Sequence, residues 1–106
     1  KHVKVAGQSI KKLLDLLKHP INGVRHRARV ELSEHPSDKV LAATDKWVKQ
    51  FDPKSKEDAH HLLEALWVYQ RNDTHNDALL KTVLGSPVDH ARISAKTVKQ
   101  FWDQNK

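Results

Sequence analysis

The chain has 106 residues, enough for one domain with a modest core and too few for a catalytic domain with a deep substrate cleft. Hydrophobic residues make up 38% and charged residues 30%, with only 3 Gly, which resembles a helix-rich globular segment rather than a disordered or membrane one, and no apolar run approaches the ~20 residues a spanning helix needs. Cysteine is absent, removing disulfides, thiolate metal sites, thiol nucleophiles and CxxCH haem attachment, and the net charge of +6 is concentrated at the N-terminal end, where residues 1–35 hold eight Lys/Arg against three acids.

The opening "KHVKVAGQ" has no signal-peptide h-region and begins without Met, which predicts a piece of a longer protein. A first helix follows, with Ile10, Leu13, Leu14 and Leu17 on one face. The second carries "VRHRAR" from Val24 to Arg29. In the third, Val40, Leu41, Thr44, Trp47, Val48 and Phe51 share a face. The fourth, over 59–70, aligns Ala59, Leu62, Leu63, Leu66 and Gln70, widened by Trp67. "ALLKTVL" at 78–84 makes the fifth, and Val88, Ala91, Ala95, Val98 and Trp102 stripe the sixth. No strand pattern competes.

Prolines punctuate these helices, because proline lacks an amide proton and disfavours helix in the residue before it. "HP", "DP" and "SP" place Pro20, Pro53 and Pro87 at intervals of 33 and 34 residues; Pro36 separates the second and third helices, and "NDTHND" at 72–77 the fourth and fifth. Aligning Pro20 with Pro87 sets "LLDLLKHPINGVRHRA" over "LKTVLGSPVDHARISA", pairing Leu13 with Leu80, Val24 with Ala91, Arg25 with Arg92 and Ala28 with Ala95. The middle segment fits if its loop is about four residues longer, which brings Ala65 opposite Ala28. The expected architecture is all-α: six helices in three hairpins, about 8–35, 36–72 and 76–105, each needing neighbours to cover its apolar face.

The "xVRxxA" and "xARxxA" pattern behind an apolar helix resembles HEAT-type repeats over nearly the whole chain. "LLKHPxxxVRHRARVELS", "DKWV", "HHLLEALWVYQ" and "LLxxxLxSPxxxARxSA" further resemble the helical-repeat segment of large bacterial putative dehydrogenase-like proteins, with a sugar-dehydrogenase-like β-propeller before it and a cytochrome-c-like haem-binding part after it. The resemblance implies a right-handed α-solenoid in an envelope or periplasmic setting, with the redox chemistry on the flanking domains and no cofactor on this segment.

Candidate chemistry centres on "DAHHLLEALWVYQ". His60 and His61 are adjacent and point ~100° apart on a helix, so they cannot grip one metal without help from other elements. His60 and Glu64 do share a face, but "HLLE" matches only the start of an HxxEH zinc motif, with Ala65 in place of the second histidine. The structural reading is preferred: Leu62, Leu63, Leu66 and Trp67 form a buried seam and His60 with Glu64 an exposed or inter-helix pair worth a few tenths of a kcal/mol. Arg25 and Arg29, with Arg92 and Lys96 in the matching places, are either a phosphate-binding stripe or, as preferred, partners of acids or helix C-terminal carbonyls in neighbouring repeats. Trp47, Trp67 and Trp102 read as packing residues, and Tyr69 with Arg71 as exposed at a helix end. The candidate interaction surface is thus Arg25, Arg29, His60, His61, Tyr69, Arg71, Arg92 and Lys96. The expected role is a non-catalytic scaffold or protein-interaction module, with nucleic-acid binding as the alternative, a small metal enzyme third, and weak self-association through sticky terminal hairpins (Ile10, Leu13 and Leu14 at one end, Phe101 and Trp102 at the other).

Overall fold

The computed structural model describes residues 7–104, so the opening "KHVKVA" with His2, and the last two positions, lie outside the described residues. Every described regular element is helical: α1 (Ile10–Leu16), α2 (Asn22–Leu32), α3 (Ser37–Trp47), a 3-10 turn (Val48–Gln50), α4 (Lys56–Arg71), α5 (Asp77–Leu84) and α6 (Asp89–Gln104). The all-α expectation is met, helix for helix. The chain divides into two compact units between Trp47 and Val48, inside the segment 36–72 expected to form the second hairpin.

In the first unit α1 packs on α2 and on α3. Ser9 caps α1 by accepting the Lys12 N–H on its hydroxyl oxygen, one of the four amides that a helix start leaves without an internal partner. Leu13, Leu14 and Leu17 of the predicted face are buried, as are Val24, Ala28 and Leu32 on α2 and Val40, Thr44 and Trp47 on α3. Full burial of a leucine is worth about 1.5–3 kcal/mol, so these side chains dominate the unit's stability. Thr44 sits among them at little cost because its hydroxyl donates to the Val40 carbonyl at 2.7 Å. Trp47 Nε1 donates to Asp15 Oδ1 at 3.2 Å, tying α3 to α1.

The third apolar face was expected to run through Phe51. Instead α3 ends at Trp47 and tightens into the 3-10 turn, leaving Val48 and Phe51 half-buried. Pro53 biases Asp52 away from helical backbone, so the last turn before it narrows and the register shifts.

In the second unit α4 packs against α5, α6 and the 3-10 turn, and α5 against α6. Ser55 and Asn76 cap α4 and α5 by accepting the Asp58 and Leu79 amides. α4 is buried almost all round, at Ala59, Leu62, Leu63, Glu64, Ala65, Leu66, Val68 and Tyr69. It ends in a Schellman turn: the Thr74 N–H reaches the Tyr69 carbonyl, the Asp73 N–H reaches that of Gln70, and Asp73 takes the left-handed conformation at φ 54°. After this turn His75 stacks on the indole of buried Trp102, with ring centroids 4.8 Å apart and planes 21° from parallel.

Candidate functional site

Most of the polar residues flagged by the sequence fall into two groups, one around the proline turns and one on α4. At each of Pro20, Pro53 and Pro87, the preceding residue accepts the amide of the following one on its side chain. His19 Nδ1 accepts from Ile21 N at 3.1 Å, Asp52 Oδ1 from Lys54 N at 2.9 Å, and Ser86 Oγ from Val88 N at 3.2 Å. Proline has no N–H of its own, so the next amide is the first that must be satisfied as the chain turns towards a helix. Histidine, aspartate and serine share only the acceptor atom this requires.

Five residues after each proline a second side chain closes the turn. Arg25 Nη1 donates to the His19 carbonyl at 2.7 Å, and Arg92 Nη1 to the Ser86 carbonyl at 2.7 Å. Their other guanidinium nitrogens meet Asn22 Oδ1 and Asp89 Oδ1, each at the start of the following helix. In the middle turn the polarity is reversed: Asp58 Oδ2 accepts from Asp52 N at 2.9 Å. The arginines were expected to pair with acids or helix C-terminal carbonyls of neighbouring repeats; each does grip a carbonyl, and Arg92 an acid as well, but within its own turn, because a helix residue one turn in points back towards the helix start. Asp58 was missed. The signal was its position five residues after Pro53, hidden by the longer-loop alignment, which set Leu62 opposite Arg25. That alignment matches the apolar stripe, Ala65 and Ala28 both being fully buried, whereas the turn itself aligns without insertion.

On α4, His60 Nε2 lies 2.9 Å from Glu64 Oε2, and the His60 ring meets Trp67 edge-on with centroids 6.2 Å apart. His61 turns the other way, its ring 5.2 Å from that of Phe51. The two imidazoles therefore serve separate contacts, and among the described residues no group of three His, Asp or Glu side chains is placed to hold a metal ion. Three expectations for this helix need correction. Of the two placements expected for the His60–Glu64 pair, exposed or inter-helix, the exposed one fails, since Glu64 is 1% exposed and the pair is half-buried. Tyr69 is 7% exposed, being one turn on from Ala65 and Leu66 on a helix covered on several sides. Trp67 is half-buried and stands at the edge of the seam that Leu62, Leu63 and Leu66 fill.

Three flagged residues make none of the contacts described above. Arg71 is exposed at the end of α4, Lys96 is exposed on α6, and Arg29 is half-buried in the last turn of α2. Among the described residues no helix is long and apolar enough to cross a membrane. No family model, no curated protein and no solved structure matches the chain.

Proposed function

We propose that the chain is a non-catalytic helical-repeat module, a right-handed stack of three HEAT-like hairpins that spaces and docks neighbouring domains or subunits of a larger protein. The observation that carries this reading is the shared turn: Arg25, Arg92 and Asp58 are spent on closing the turns at Pro20, Pro87 and Pro53, not held out for a substrate. The resemblance to the repeat segment of dehydrogenase-like bacterial proteins adds the setting, a cell envelope or periplasm, with redox chemistry on a flanking propeller and a haem-binding part. A full reading frame with a propeller upstream and CxxCH downstream is the expected outcome; a frame with neither removes the lineage.

A nucleic-acid-binding solenoid is the second reading, favoured by the basic excess of residues 1–35 and by exposed Lys11, Lys12, Lys18 and Arg27. Fluorescence titration with duplex DNA at two salt concentrations separates the two. The scaffold reading expects only weak binding that salt abolishes, whereas a dedicated binder retains measurable affinity with a slope set by the phosphates it neutralises. Calorimetry with zinc tests the metal-enzyme reading; stoichiometric binding lost in His60→Ala would replace the scaffold by a metal site.

A further inference from the structure

The surface of α6 divides by chemistry. At about 100° per residue, Ala91, Ala95, Val98 and Trp102 form its buried side. Every Asp, Lys and Arg of the helix falls in one adjoining sector, from Asp89 through Lys96 to Asp103, where Lys99 pairs with Asp103 at 2.8 Å. The third sector, about 120° wide, runs from His90 to Gln104 and holds no acid, lysine or arginine, although 30% of the chain is charged. At its centre Ile93 is 62% exposed and Phe101 41% exposed. Thr97 lies between them, its hydroxyl directed to the Ile93 carbonyl at 3.4 Å and so spent inside the helix.

We propose that this face is a homodimer interface in which α6 docks antiparallel on α6 of a second copy, about a two-fold axis at Thr97. A two-fold contact requires a surface complementary to itself. About Thr97, Ile93 falls opposite the second copy's Phe101, Ser94 opposite its Gln100, and His90 opposite its Gln104. Apolar groups meet apolar groups and hydrogen-bonding groups meet hydrogen-bonding groups. The charged sector stays outside, so no lysine is brought against its own copy. Antiparallel helices also set opposite macrodipole ends together. One helix face buries less than a standard interface of about 1,600 Å², so the dimer is weak and reversible. This proposal does not depend on the scaffold reading.

Sedimentation of the full chain over a concentration series tests it. The expected result is a monomer–dimer equilibrium that Ile93→Glu and Phe101→Glu each weaken at least about tenfold, while Lys96→Glu, in the charged sector, leaves it within about twofold. All three positions are exposed, so circular dichroism should be unchanged. The chain has no cysteine, which allows a test of register: on oxidation Thr97→Cys should form a disulfide dimer, because the axis brings residue 97 against itself, and Lys96→Cys should not. A strict monomer at every concentration overturns the proposal, as does a dimer indifferent to both glutamates or one cross-linked through position 96 and not 97.

Discussion

His19, Asp52 and Ser86 have little in common as amino acids, yet each offers a lone pair to the amide two residues on. His19→Asp should therefore melt within about 0.5 kcal/mol of the parent, while His19→Leu should lose about 1 kcal/mol, the typical worth of one hydrogen bond. Thermal melts of the two variants decide it, and equal losses would reject the turn's importance. Asp73 is a second residue-scale case. It holds φ 54° at the end of α4, where a side chain strains the backbone and a negative charge faces the helix's negative pole. Asp73→Gly should stabilise by about 0.5–1 kcal/mol, seen as a melting temperature raised by a few degrees.

At the scale of the element, α4 shows how burial converts an amphipathic helix into an enclosed one. Leu63 and Leu66 are fully buried, and truncating either to Ala should cost about 2–5 kcal/mol. His61→Ala should be milder, since His61 is only half-buried and its ring lies against the half-buried Phe51. Denaturant melts giving the reverse order would remove α4 from the core. The His60–Glu64 pair was expected to matter by a few tenths of a kcal/mol, as an exposed pair does. With Glu64 enclosed, His60→Ala removes one of its contacts from inside the core, and about 0.5–1.5 kcal/mol is expected from the same melts.

For the whole molecule, charge and structure are separable. Arg25→Ala and Arg27→Ala each remove one of a net +6 charges and should elute alike from a cation exchanger. Only Arg25→Ala should also lower the melting temperature, since Arg25 holds the first turn and Arg27 lies exposed. Helix number, the three proline turns and the helix positions apart from the end of α3 were legible, because periodicity and missing amide protons act locally. The enclosure of Glu64 and Tyr69 was not: one sequence gives the stripe a helix offers to one neighbour, but the number of neighbours is a tertiary fact. The flagged arginines were read as structural, and the carbonyls they grip were assigned to the wrong hairpin. Asp58 escaped because its turn and its apolar stripe follow different registers.

The reversed middle turn carries a consequence of its own. A guanidinium supplies protons and a carboxylate receives them, yet both shut the same loop, since a peptide group presents an oxygen one way and a hydrogen the other. Side chains of opposite electrical sign can thus serve at this one position. What the three bends have in common is therefore the place where the backbone is gripped, and not the letters that do the gripping.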